Sequence, residues 1–142
     1  MSRYISKKSR EVVKNRANEC CEYCRVPEIF SFLGYEIDHI IAIKHGGTND
    51  LSNLAWACTI CNNLKGTDIG TMLLPEQTIV RFYNPRTDIW EEHFETSKAL
   101  INSKTEIGEA TVKIFQFNSL ERLRERQELS KAGLFPPPDR TT

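Results

Sequence analysis

Two Cys-x-x-Cys pairs, Cys21/Cys24 and Cys58/Cys61, constrain this chain more than any other feature. Each pair presents two sulfurs from one tight turn, and tetrahedral zinc takes four soft ligands, so the two turns can close on one Zn²⁺. A site closed in this way is structural. Chemistry then falls to the groups between and beside the pairs: Asp38, His39 and Asn53, with Asn62 directly after Cys61. A carboxylate, an imidazole and amides stand there with no thiol competing for a hard cation.

Five cysteines in an intracellular chain read as metal ligands rather than disulfides, because reducing thiol pools keep such pairs open. Cys20 is the spare. A Cys20-x3-Cys24 pairing is an alternative, but the x2 spacing repeats in the second pair and is preferred, which leaves Cys20 a small buried residue or a bystander.

The 142 residues suit one domain, or a small metal-stapled module with an appended half. Charged residues make up 27% and hydrophobic ones 39%, which fits a soluble globular protein and excludes a disordered or membrane one. No apolar run approaches a spanning length and no signal-peptide core is present, so the cytoplasm is the default compartment and no membrane partner is expected.

Net charge is zero, with 19 basic and 19 acidic residues, which by itself argues against a nucleic-acid partner. The distribution argues the other way. Arg3, Lys7, Lys8, Arg10, Lys14 and Arg16 are offset only by Glu11 at the N-terminus, and such an arm can track phosphates, although a solvated helix face is equally consistent with it.

Residues 1–20 form a basic N-terminal segment, with a helix expected from a Ser6 cap to about Cys20 over a Val12, Val13, Ala17 stripe. Residues 21–70 are the core. There Pro27–Gly34 is expected to pack as a turn or short helical piece against the metal module, Tyr35–Ile41 to form a strand, and His45–Asp50 a glycine-rich turn. A second strand, Leu54–Ala57, then delivers Cys58, and a helix carries Asn62, Asn63 and Lys65 to a stop at Gly66. Residues 71–142 form an α+β extension with no chemical motif. Strands are expected at Gln77–Asn84 and Ile89–Phe94 as a hairpin around Asn84–Asp88, then helices over Ile107–Phe115 and from Leu120 (capped by Ser119, stopped by Gly133), then a Pro-rich tail.

Asp38-His39, Asn53 and Cys58-x2-Cys61-Asn62 with Lys65-Gly66 resemble the HNH endonuclease family, in the version whose ββα-metal nuclease core is held by a four-cysteine zinc. The resemblance spans about Cys21 to Gly66 and implies an α+β chain. It implies further that His39 is the general base, that Asp38 and Asn62 bind one catalytic divalent cation, and that Asn53 braces the loop. The last motif letter here is Asn62 rather than His, which makes a harder, all-oxygen metal site. The implied activity is hydrolysis of DNA, or RNA, leaving a 5′-phosphate.

The chemistry is consistent with that. Phosphodiester hydrolysis needs an activated water in line with the leaving oxygen and neutralisation of the growing charge. A free imidazole, titrating near pH ~6.5, can take a proton at neutral pH. Oxygen donors on Asp38 and Asn62 suit Mg²⁺ or Mn²⁺, while four thiolates suit Zn²⁺. In an ideal strand, however, Asp38 and His39 point to opposite faces, so sharing one cleft requires a twist or bulge, which the resemblance implies.

Lys65 is either a phosphate contact or an ordinary helix-end lysine. His45 and His93 read as surface residues, and Trp56 and Trp90 as core residues rather than base-stacking ones. Two competing readings are a zinc-ribbon nucleic-acid-binding module without catalysis and a protein-interaction scaffold.

Overall fold

A computed structural model describes residues 4–138. Arg3 of the basic arm and the end of the Pro-rich tail lie outside the described residues. Helix α1, Lys7–Arg16, starts where Ser6 Oγ accepts the Ser9 N–H, 3.1 Å away. It ends short of the expected Cys20, because Asn18 and Glu19 take left-handed backbone angles (φ 53° and 56°) that break the helix. Its inner face buries Val13 completely, and the C-cap Ala17 is buried as well.

Strands β1 (Glu36–His39) and β2 (Leu54–Ala57) pair antiparallel, from Glu36 opposite Ala57 to His39 opposite Leu54. The register runs through Asp38 and His39 without a bulge. Alternation therefore sends Glu36 and Asp38 to one face of the hairpin and Ile37 and His39 to the other. Helix α2 (Thr59–Lys65) covers the first face, where Asn62 bonds Glu36 and Lys65 bonds Asp38. Helix α1 crosses the second, with Lys14 over the Trp56 ring and Arg16 donating to the carbonyls of Leu51 and Leu54.

Two single 3₁₀ turns, Ile43–His45 and Leu51–Asn53, join β1 to β2 around Gly46 and Gly47. Gly46 has φ +93°, and a Cβ on Gly47 would lie 1.7 Å from the Ile41 carbonyl oxygen, so the turn closes only with glycine there.

The C-terminal half pairs differently from expectation. Strands β3 (Gly70–Leu73) and β4 (Thr78–Arg81) make one hairpin, and β5 (Phe94–Ser97) and β6 (Leu100–Ser103) another. No hairpin joins 77–84 to 89–94. Asn84–Asp88 is a turn, but the Asp88 carboxylate closes it locally by accepting the Asn84 N–H and pairing with Arg81. The chain then enters a one-turn helix α3 (Trp90–His93), because Trp90 and Phe94 bury together at helical spacing with ring centroids 5.0 Å apart.

Helix α4 (Glu106–Phe115) is capped by Thr105, and α5 (Leu120–Lys131) follows; Ser119 occupies its cap position without a side-chain bond. The chain is α+β, with one hydrophobic core running from Val13 and Tyr23 through Leu54 to Phe115, Phe117 and Leu129. Tyr23 packs 5.0 Å from Phe115, and its carbonyl accepts the Trp90 indole N–H at 2.9 Å, so the C-terminal half builds the wall behind the first Cys pair.

Residues Pro27–Gly34 depart from the expectation of packing. Their short helical turn forms at Glu28–Phe30, but Ile29, Phe32 and Leu33 stand in solvent. Among the described residues no helix is long and apolar enough to cross a membrane.

Candidate metal centre and active-site cleft

Cys21, Cys24, Cys58 and Cys61 are all buried, with every Sγ within 4.8 Å of the others. Cys24 and Cys58 sulfurs are 3.8 Å apart, far beyond a disulfide and close to the edge of about 3.8 Å that a tetrahedral ion with Zn–S bonds of about 2.3 Å requires. Cys20 is buried outside the cluster, in a bridge to Pro27.

Each pair also uses its first sulfur as a turn acceptor. Cys24 N–H points at Cys21 Sγ (3.5 Å) and Cys61 N–H at Cys58 Sγ (3.3 Å), so Cys58 belongs to the cluster and is also the N-cap of α2. Burial pushes the Cys21 and Cys61 thiols up. Cys24 goes the other way: burial would raise it, but hydrogen bonds from Cys21, Cys58 and Cys61 and the Arg122 charge hold it well below the usual thiol range. A soft dication is what would ionise the rest, so the donor set fits zinc.

The cleft lies at the open side of β1. Asp38, His39, Asn62, Asn63 and Lys44 line a space of about 390 Å³. Although alternation turns them to opposite faces, Asp38 and His39 both line this space. Asp38 forms the floor, 3% exposed, with Tyr23 Oη donating to Oδ2 (2.6 Å) and Lys65 Nζ to Oδ1 (3.1 Å). Burial raises its carboxyl above the usual range, and Lys65, Tyr23 and His39 work against that rise.

Lys65, read as a phosphate contact or an ordinary helix-end lysine, is engaged inside the protein. Its side chain is 2% exposed and donates to Asp38 and to the His39 carbonyl oxygen (3.0 Å), turned inward by the buried carboxylate. Asn53 sits across the turn from the cleft wall. Its Oδ1 accepts the Ile41 N–H (2.9 Å), and its Nδ2 donates to the carbonyls of Ile41 (3.0 Å) and Thr48 (2.8 Å). The amide thereby continues the β1 ladder in place of a backbone partner.

His39 Nε2 is 2.8 Å from Asn49 Oδ1, and Asn49 Nδ2 donates to the Tyr4 carbonyl at 3.1 Å. The Tyr4 carbonyl fixes which end of the amide faces the ring. An amide oxygen only accepts, so Nε2 is the donor and, in the neutral ring, the lone pair is on Nδ1.

Residues 21–68 match the family model described as HNH endonuclease. This segment is similar to HNH endonucleases. No match was found among curated proteins or among solved structures. The match suggests nuclease activity on a nucleic-acid substrate.

Four residues around the cysteine cluster and the cleft escaped sequence reasoning. Glu36 lies two positions before Asp38, on the same strand face, and bonds Asn62; period-two alternation could have flagged it. Tyr23, between the first two cysteines, has its hydroxyl pushed well above the usual range by burial and by Asp38, so it stays a donor. Asn49 was read only as a turn former. Arg122 had no local signal at all: it reaches from α5 to Cys58 Sγ (3.5 Å) and Cys61 Sγ (3.4 Å) and donates to the Phe115 carbonyl (3.1 Å). Burial opposes its charge, yet Cys24, Cys61 and Cys58 outweigh burial and raise its pKa. His45 is exposed, His93 bonds Thr105 from α3, and Trp56 and Trp90 are buried with their indole N–H groups on Glu28 and the Tyr23 carbonyl.

Proposed function

We propose that this protein is a divalent-metal-dependent endonuclease that hydrolyses phosphodiester bonds in DNA, with a ββα-metal core (β1, β2, α2) stapled by a structural zinc on Cys21, Cys24, Cys58 and Cys61. The observation that carries it is the opening of Asp38, His39 and Asn62 onto one polar cleft. Each Asp38 oxygen accepts one hydrogen bond and keeps a further lone pair, and the Asn62 carbonyl and the Glu36 carboxylate add hard oxygen donors. That set fits Mg²⁺ or Mn²⁺, with Asp38 and Asn62 as the holding residues. When bound, such a cation supplies positive charge against the phosphate and the leaving oxygen.

The chain's own residues do the rest. Asn49 keeps the proton on His39 Nε2, leaving Nδ1 to take a proton from the attacking water. Asn53 fixes the turn that carries Asn49 by tying Thr48 and Ile41 together. Lys65 anchors the His39 backbone to α2, so the base sits on a rigid strand end.

The deciding experiment is conversion of supercoiled plasmid by zinc-loaded protein with Mg²⁺, Mn²⁺ or EDTA, beside His39→Ala. Metal-dependent nicking that is lost in a folded, zinc-containing variant supports the enzyme. Absence of nicking by the wild type, with binding retained, would leave a zinc-ribbon binding module.

A further inference from the structure

Helix α1 lies outside the matched HNH segment and carries charge that neither centre uses. Its cations divide into two groups. Lys14 pairs with Glu19 and Glu28, and Arg16 is bound to two carbonyls, so both belong to the fold. Lys7, Lys8 and Arg10 are exposed, and among the described residues they form no ion pair.

Helix stability does not explain that placement. The first turn has two lysines and no acid, the reverse of what the positive end of a helix dipole favours, so an anion in contact with this turn would relieve an existing repulsion. The same turn is fastened beside the base. Tyr4, three residues before Lys7, accepts from Asn49, whose other amide atom holds His39. On the cleft lip, Lys44 is exposed and likewise without an ion pair among the described residues.

We infer that Lys44, Lys7, Lys8 and Arg10 form a phosphate track that leads the backbone of a nucleic acid from the cleft onto α1. The identity of the ligand rests on the nuclease reading. The contacts are to phosphate rather than to bases, so they position the strand without reading sequence. With 19 basic and 19 acidic residues in the chain, capture by net charge is absent and the local track must supply the attraction.

The test measures binding without cleavage. Zinc-loaded full-length protein, with no catalytic cation added, is titrated into a short fluorescent DNA duplex and into its single strand between about 50 and 200 mM salt. The triple variant Lys7→Gln, Lys8→Gln, Arg10→Gln is expected to flatten the slope of log affinity against log salt by about two to three and to weaken low-salt binding at least ~10-fold. Glutamine keeps helix propensity close to that of lysine and arginine, so α1 persists. The control Lys98→Gln, Arg124→Gln, Lys131→Gln removes the same charge elsewhere and is expected to leave slope and affinity unchanged.

Equal loss in both triples would reduce the effect to net charge and overturn the track. Unchanged binding in the α1 triple would also overturn it and would leave those cations for an acidic protein surface. Larger loss on duplex than on single strand, or the reverse, tells which form the track follows. Plasmid nicking is scored separately, so the track can fail while the nuclease reading stands, and the nuclease reading can fail while the track stands.

Discussion

Lys65 and Asp38 meet 3.1 Å apart with side chains only 2% and 3% exposed. A lysine next to the glycine that ends α2 thus becomes a strut between that helix and the strand carrying the cleft residues, and the same ammonium holds the His39 carbonyl. The arrangement follows from two periodicities. Glu36 and Asp38, two apart on β1, face Asn62 and Lys65, three apart on α2, so strand and helix are joined by two matched polar contacts.

Removing one member of such a pair strands the other. Lys65→Met is expected to destabilise the protein by about 3–5 kcal/mol in urea unfolding, and Lys65→Met with Asp38→Asn by less, because an unpaired buried carboxylate costs more than a neutral amide. The pH dependence has a definite sign. Burial already raises the folded Asp38 pKa above its unfolded value, so its ionised form is a penalty that is relieved as pH falls through the folded pKa. Lys65→Met widens that window, so acidification through the raised folded value toward the unfolded one should recover part of its lost stability. A variant whose stability only falls on acidification contradicts this.

Asn53 offers a second test, since its amide makes three bonds that a backbone would otherwise make. Asn53→Ala leaves the Ile41 N–H and two carbonyls to water and is expected to cost about 1–3 kcal/mol. Asn53→Asp keeps the acceptor but turns a carboxylate oxygen toward the carbonyls of Ile41 and Thr48, and it should be at least as harmful. Hydrogen exchange should show the loss as faster exchange at Ile41 and across the Gly46–Asp50 turn, with the core strands unaffected.

What was legible in the sequence was local. The two Cys pairs, the Ser6 cap, the glycine turn and the strand–strand–helix order each rest on residues within a few positions of one another, where spacing alone carries the physics. The misread parts depend on partners far along the chain. The buried pairing of Lys65 depends on Asp38, 27 residues away, and Arg122 acquires meaning only beside Cys58 and Cys61. The strand expected at Ile89–Phe94 failed for a related reason: Trp90 and Phe94 bury as a helical pair against Tyr23 and Phe117. Phe32 and Leu33 failed in the opposite direction, being apolar yet exposed.

Zinc is expected to be inseparable from folding. Binding at structural sites is worth about 10–16 kcal/mol in small zinc modules, more than the about 5–15 kcal/mol by which domains are usually stable. Cys58→Ser removes a ligand, the cap of α2 and an Arg122 partner together. It should lower bound zinc from about one per chain toward none and abolish the cooperative melt, as should a strong chelator on the wild type. A wild type that purifies without zinc and melts cooperatively would refute the structural role.

Arg122 should tune that same centre from the far end of the chain. Four thiolates around a dication leave two negative charges in a buried site, and the Arg122 guanidinium meets them with hydrogen bonds to Cys58 and Cys61 while its third contact, the Phe115 carbonyl, ties α5 to the end of α4. Arg122→Met keeps the bulk and removes the charge, so zinc affinity in chelator competition should fall about 10–100-fold, the usual effect of losing a group bonded to a metal ligand. Arg122→Lys should recover only part, because a single ammonium cannot present the guanidinium's planar fork to two sulfurs and a carbonyl. Hydrogen exchange separates this from simple misfolding: in the Met variant, protection should drop first in α5 and around the second Cys pair while β5 and β6 keep theirs. Full zinc affinity in Arg122→Met would show that the guanidinium serves packing alone.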